Sequence, residues 1–307
     1  MITKIKRAIM HPGHLVLFLL HKTAHLWPDK LYLKLKFRLV MGQKLDLKNL
    51  KTFNEKLQWL KLYNRRPEYT TMVDKCAVKQ FVADKIGEEY IIPTLGVWDK
   101  VEDIDWDSLP NQFVLKTTHG GGGGGVVICK DKSIFDRDAA RKKLQKSLDS
   151  DIYLSFREWP YKDVPKRIIA EQYMTDESGI ELKDYKFFCF NGRVQCFKVD
   201  FDRFINHKAN YYDREGTLLP FGEKVCPPDF DRVFDKPKNF DSMISLAERL
   251  SEDISFMRVD FYNSNGNIYF GEMTFFPAAG MGKFEPEDWD ETLGEFLILP
   301  KNKVFCR

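Results

Sequence analysis

Lys116, His119 and the glycines Gly120, Gly121, Gly122, Gly123, Gly124 and Gly125 stand together in the stretch FVLKTTHGGGGGGVVICK, Phe113 to Lys130. Apolar runs on both sides, Phe113–Leu115 and Val126–Ile128, give the outline of a hairpin. Glycine has no Cβ, so such a tip can lay its backbone N–H groups directly on an anion. A lysine just ahead of it adds positive charge. A triphosphate suits this combination, and a merely flexible linker is the alternative reading of the glycines.

A second set of residues lies far along the chain. Asp260 in RVDFY and Glu272 in FGEMT sit on two apolar runs joined by a turn at Asn263 to Gly266. Magnesium takes hard oxygen ligands, commonly one or two carboxylates together with substrate phosphates. Acids on strands are more often simply solvated, but Met257, Val259, Phe261 and Phe270 make these surroundings apolar. With that turn the two carboxylates need not face each other across the strands, and a twisted pair would aim both at one cleft. Lys116 and Lys186 each stand inside an apolar strand, where a lysine needs an anionic partner or must snorkel to the edge. Arg258 either pairs with Asp260 or stabilises charge on a transferring group.

The elements that must position these groups follow from spacing. Thr52 with Glu55 forms a capping box, and Phe53, Leu57, Leu60 and Leu62 give an apolar face, so a helix is expected over 53–63. A second helix is expected from Lys75 to Ile86, stopped by Gly87. Ile91–Trp98 reads as an edge strand because of Pro93. Ala139–Leu148 reads as a polar surface helix and Arg167–Tyr173 as a buried strand. Asp184–Phe190 and Arg193–Val199 are joined by Asn191-Gly192, a strong hairpin signal. A helix over Phe240–Leu250, the acidic hairpin and a short helix at Trp289–Leu297 complete an α+β chain with a mostly antiparallel C-terminal sheet.

The 307 residues are enough for two or more subdomains. Their net charge of +3 hides an asymmetry: residues 1–66 carry 15 Lys or Arg against Asp29, Asp46 and Glu55. Such an arm faces an anionic partner. Its apolar residues either pack on the domain that follows or lie on a membrane surface as a basic amphipathic helix through residues 1–50. No nucleic-acid motif accompanies the charge, so none is expected as partner. Leu15–Leu20 follows the basic Lys4, Lys6 and Arg7 as in a signal peptide, but it is only six residues long, is bracketed by His14 and His21 and has no small-residue cleavage site after it. It is also too short for a membrane span. Six cysteines without a CxxC pair read as reduced thiols, and a cytoplasmic protein is expected, peripheral at the inner membrane face if the arm binds lipid.

The joint order of FNEKLQWLKLY, MVDK, VLKTTHGGGGGG, IIAEQYM, DYKFFCFNG, MRVDFYN and GEMTFFPAAG resembles the TupA-like branch of the ATP-grasp superfamily, from about Phe53 onward. That resemblance implies an ATP-grasp fold, two α+β subdomains clasping ATP behind a helical basic N-terminal arm. The expected divisions are 1–66, 67–110, 111–174 and 175–307. It implies Lys116 and Lys186 as the nucleotide lysines and the glycine loop over the phosphates. Glu171 with Tyr173 or Met174 would form the hinge segment for adenine and ribose. Asp260 and Glu272 would be the magnesium carboxylates, with Thr274 where many members carry an Asn ligand. Arg258, Lys186 and His119 would serve catalysis, His119 by contact with the γ-phosphate or as a proton carrier, or else it is structural beside the loop. The implied reaction joins a carboxylate to an amine through an acyl phosphate with release of ADP. The branch's link to envelope polymers points to a carboxylate-bearing glycan precursor and an amine or amino acid. A phosphotransferase acting on a sugar hydroxyl and a glycan- or membrane-binding accessory protein are the rivals.

Overall fold

A computed structural model describes residues 12–121, 123–176, 182–201 and 206–305. Lys4, Lys6, Arg7 and Gly122, and Cys306 among the six cysteines, lie outside the described residues. Helices come first: α1 (Pro12–Lys22), α2 (Asp29–Met41), α3 (Phe53–Tyr63), α4 (Glu68–Val73) and α5 (Val78–Ile86). Then follow β1 (Thr94–Trp98), β2 (Phe113–Thr117), β3 (Val126–Cys129), α6 (Arg137–Leu148), α7 (Ile152–Phe156) and β4 (Ile168–Gln172). The last part holds β5 (Asp184–Phe190), β6 (Arg193–Phe201), β7 (Lys208–Asp213), β8 (Gly222–Glu223), α8 (Phe240–Leu250), β9 (Phe256–Ser264), β10 (Asn267–Thr274), β11 (Phe284–Glu285) and α9 (Trp289–Phe296).

Local chemistry explains the main elements. The capping box at α3 is present: Thr52 accepts from the Glu55 N–H while the Glu55 carboxylate accepts from the Thr52 N–H. The segment Leu31–Leu39, equally compatible with strand and helix by pattern, is helical and ends at Gly42 in the left-handed conformation. The helix expected from Lys75 begins only at Val78, because Asp74 accepts from the Cys76 N–H and holds residues 75–77 in a turn. Asn191 and Gly192 both take positive φ, as a tight hairpin turn between β5 and β6 requires.

Two antiparallel sheets carry the rest. The smaller has strand order β1-β4-β2-β3, so β1 is at an edge and β4 in the interior. Its strands come from both sides of residue 110, where a subdomain break was expected, since β1 pairs with β4. Phe113 and Leu115 on one face pack with Leu144 and Leu148 of α6 and with Trp106. α6 therefore buries one stripe while the rest of it stays polar and exposed. The larger sheet has order β10-β9-β5-β6-β7. Phe187 and Phe197 on one face meet Phe240 of α8 at centroid distances of 5.7 and 4.8 Å. On the opposite face, Phe188, Phe190 and Phe256 pack toward Phe53 of α3 at one end. The other end of that face is charged, and it forms the site.

The N-terminal arm divides between the two fates open to it. Leu20, Ala24 and Tyr32 form a small core, and Leu33 and Phe37 pack with Leu62 of α3. Leu15, Val16, Phe18 and Leu19 remain exposed. Among the described residues no helix is long and apolar enough to cross a membrane. Cys76, Cys129, Cys189, Cys196 and Cys226 are free thiols.

Candidate active site between the sheets

Cross-strand pairing aligns Glu272, Asp260, Lys186, Lys198 and Tyr211 in one row across the larger sheet. Side chains in such a row share a face. Residues two positions along the same strands, Arg258, Asp184 and Asp200, join them there. The Arg258 guanidinium donates to both oxygens of Asp260 at 2.7 Å each. Its Nη2 also lies 2.7 Å from Glu272 Oε1. Lys186 pairs with Asp184, with Asp200 at 2.8 Å and with Asp260 at 3.8 Å. The Thr274 hydroxyl donates to Glu272 Oε1 at 3.3 Å and so helps to aim that carboxylate.

The two carboxylates share one guanidinium but differ in surroundings. Asp260 is 2 % exposed and Glu272 40 % by side chain. Burial pushes the Asp260 carboxyl up to about 7 against the pull of Arg258 and Lys186. For Glu272 burial acts the same way, but Arg258, Lys75, Lys186 and Lys116 outweigh it and hold the group at about 2. Arg258 itself is held well above its usual range: burial opposes its charge and Asp260 and Glu272 more than compensate.

Lys116 approaches from the smaller sheet. Its strand alternates, with Phe113 and Leu115 turned to α6 and Val114 and Lys116 to the opposite face, where Glu171 of β4 also lies. Lys116 Nζ is 2.6 Å from one Glu171 oxygen and Lys79 Nζ of α5 is 2.5 Å from the other. Burial works to raise Glu171, but the two lysines hold it down at about 2. Lys75 donates to the Gly120 carbonyl, and its charge interacts with Glu272, Lys116 and Glu171. Lys75, Lys79, Lys116, Glu171, Phe270 and Gly271 line a narrow cleft between β2 and β4 on one side and β10 on the other. Glu272 links the two sets, since its charge interacts with Arg258 and Lys186 of the larger sheet and with Lys75 and Lys116 beside the cleft.

Lys75 and Lys79 were missed as site residues by the sequence reading, which put both in one helix from Lys75 to Ile86. Their signal was the four-residue spacing within MVDKCAVK, whose first four residues carry part of the family resemblance. The turn ahead of α5 separates them, so that Lys75 reaches the glycine loop and Lys79 reaches Glu171 of β4.

The glycine loop is tied at its base and open at its tip. Thr117 and Ser147 hydroxyls lie 2.7 Å apart, and a Cβ on Gly125 would fall 2.2 Å from Thr117 Oγ1 and 2.3 Å from Ser147 Oγ. Gly123 has φ of +74° with open space around it. Gly121, Gly123 and Gly124 are exposed, whereas Gly120 is buried beside Lys75. His119 is buried beneath the loop with Nε2 3.1 Å from the Ser147 carbonyl, and burial with Lys166 lowers its pKa. Tyr173 and Met174 follow β4 directly and are half-buried.

Asp260 and Glu272 offer hard carboxylate oxygens, each 2.7 Å from the same Arg258 nitrogen. This donor set fits a magnesium ion completed by phosphate oxygens.

A family model described as TupA-like ATP-grasp matches residues 55–298. Among solved structures, the chain is similar to D-alanine–D-alanine ligase from Bacillus anthracis, with 18% identity and a TM-score of 0.36, covering 67% of this chain and 57% of that one. It is also similar to N5-carboxyaminoimidazole synthetase from Staphylococcus aureus complexed with ADP, with 15% identity and a TM-score of 0.37, covering 66% of this chain and 44% of that one. This chain thus spans about half the length of each. No curated protein matches. The match to the family model, running from α3 to just beyond α9, gives the conclusion that the chain belongs to the TupA-like ATP-grasp family.

Proposed function

We propose that this protein is an ATP-dependent carboxylate–amine ligase acting on a carboxylate-bearing precursor of a cell-surface polymer, with ADP and phosphate released. The observation that supports it best is that Glu272, which shares Arg258 with Asp260, also interacts electrostatically with Lys75 and Lys116, which line an inter-sheet cleft with Lys79 and Glu171. Phosphoryl transfer asks a protein mainly for positioning and charge neutralisation, and this constellation offers both.

In this reading Lys116 and Lys79 leave Glu171 in part to meet the α- and β-phosphates, and Glu171 with Tyr173 or Met174 holds the adenine and ribose. Gly120 to Gly125 close over the triphosphate, with Lys75 anchoring the loop at the Gly120 carbonyl. Asp260 and Glu272 would hold magnesium, assisted by the Thr274 hydroxyl. The ion would draw charge from the β- and γ-phosphate oxygens. Lys186 faces the transferring group. A substrate carboxylate oxygen bonds to the γ-phosphorus as the bond to the ADP oxygen breaks. The amine nitrogen then bonds to the acyl carbon, phosphate leaves with the C–O bond's electrons, and the nitrogen loses a proton. Arg258 stabilises the oxyanion of that tetrahedral stage. His119, kept neutral by burial and bonded to Ser147, supports the loop.

The test incubates the protein with magnesium-ATP, cell-envelope precursors and amino acids, reading nucleotide products and product mass. ADP with an amide product is expected, and Lys116→Ala, Lys186→Ala or Glu272→Ala should remove turnover with the fold intact. AMP as product would exclude the acyl-phosphate route. A phosphorylated sugar without an amide would assign a phosphotransferase instead.

A further inference from the structure

The N-terminal helices carry a surface that the nucleotide site does not use. Leu15, Phe18, Leu19 and Lys22 recur at the three- and four-residue spacing that places them on one face of α1. Leu15 is 43 % exposed, Phe18 56 % and Leu19 52 %, with Val16 at 48 % beside them. The other side of α1 is already satisfied, since Leu20 packs with Ala24 and Tyr32. α1 thus keeps an apolar face toward solvent after its core contacts are made. Singly exposed leucines are ordinary, but four adjacent large apolar residues on one helix are an interaction surface.

The exposed charge on α1, α2 and the loop after them selects its partner. Lys30, Lys34 and Arg38 recur every four residues on α2 and are all exposed, and Lys22, Lys44 and Lys48 are exposed as well. Lys22 Nζ sits over the Phe18 ring, 5.8 Å from its centre. Of the two acids between residues 12 and 50, Asp29 is occupied by Arg65, Arg157 and the Tyr153 hydroxyl. Asp46 accepts from the Lys48 N–H. Among the described residues none of the six cations forms a salt bridge. A protein partner's apolar patch would not call for so many unpaired cations. An interfacial helix of this kind combines an apolar face, buried at the acyl boundary, with Lys and Arg at headgroup level.

We propose that α1, with the cationic stripe of α2, docks the protein on the surface of an anionic lipid bilayer. The surface is independent of the reading of the nucleotide site.

The full chain should be co-sedimented with vesicles of equal parts phosphatidylglycerol and phosphatidylcholine, and of phosphatidylcholine alone. Binding to the mixed vesicles, weakened by salt, is expected, with much less binding to the neutral ones. Phe18→Glu and Leu19→Glu should each weaken it by about tenfold or more, from lost burial of an apolar side chain. Lys30→Ala, Lys34→Ala and Arg38→Ala should each weaken it by about fivefold. Because all five positions are exposed, the melting temperature should stay at the parent value. Magnesium-ATP binding, measured separately, should also be unchanged, so either reading can fail without the other. Equal binding to both vesicle types, or none to either, would overturn the proposal. So would a change from dimer to monomer in Phe18→Glu with vesicle binding intact, which would make the face a contact between copies of the chain.

Discussion

Glu272 stands directly opposite Asp260, although the turn that joins their strands counts it one residue out of step. Pairing runs regularly from Asn267 with Ser264 to Phe270 with Phe261, then shifts so that Glu272 meets Asp260. Gly271 is the extra residue of a bulge. A Cβ there would lie 3.0 Å from the Asp260 carbonyl and 3.1 Å from the Tyr262 ring. Without the bulge Asp260 would face Gly271, and the Glu272 side chain would point through the sheet, because side chains alternate with period two. Deletion of Gly271 is expected to abolish magnesium-nucleotide binding by calorimetry while circular dichroism keeps its strand and helix signals. Undiminished binding would show that the bulge does not set the site.

Arg258 is the present neutraliser of both carboxylates. Removing one partner from a buried ion pair leaves the other charge uncompensated, at a cost on the order of 3 kcal/mol. Arg258→Ala should therefore melt well below the parent protein without metal. Magnesium should then raise its melting temperature by more than it raises the parent's, since an ion can take the place of the guanidinium. An equal response in both proteins would argue against a cation between Asp260 and Glu272.

Glu171 gives a pH dependence of defined sign. Lys116 and Lys79 hold it at about 2, below the ordinary 4.5. A carboxyl with a depressed native pKa stabilises the fold above its unfolded value and loses that contribution as pH falls through the native value. The expected loss is roughly 3 kcal/mol between about pH 4.5 and 2. Glu171→Gln should be less stable at neutral pH and show a flatter acid limb in urea titrations. Parallel limbs for the two proteins would remove this account.

The loop offers a contrast between its base and its tip. Gly125→Ala must displace the Thr117 and Ser147 hydroxyls, both less than 2.5 Å from the new methyl. Gly123→Ala meets no atom and carries only the cost of positive φ, about 1 kcal/mol. Thermal melts should rank Gly125→Ala clearly below Gly123→Ala. The reverse order would mean that the base is not packed as described.

Much of the fold was legible from local signals. The capping box at Thr52, the Asn191-Gly192 turn, the glycine hairpin and the helix at Phe240 each depend on neighbours in sequence, and each forms where expected. Boundaries set by single side chains were less legible. α5 starts three residues after the expected Lys75 because the Asp74 carboxylate holds a turn that helical periodicity does not record.

Among candidate site residues, type and strand context pointed to Lys116, Lys186, Asp260 and Glu272, since lysines and acids inside apolar strands need partners. The partners themselves were not legible. Lys75 and Lys79 fell within one expected helix, whereas the turn before α5 sends one to Gly120 and the other to Glu171. Asp184 and Asp200 gave no signal at all, and only the pairing of β5 with β6 and β9 places them around Lys186.

By itself the sequence determined which residues carry charge, which segments bury apolar faces and where glycine permits a turn, because propensity, capping and periodicity act over a few residues. Tertiary structure decided which charges meet. Sheet register, and the single inserted residue at Gly271, place carboxylates and lysines from distant segments within a few ångströms, and such pairings obey no rule of sequence spacing.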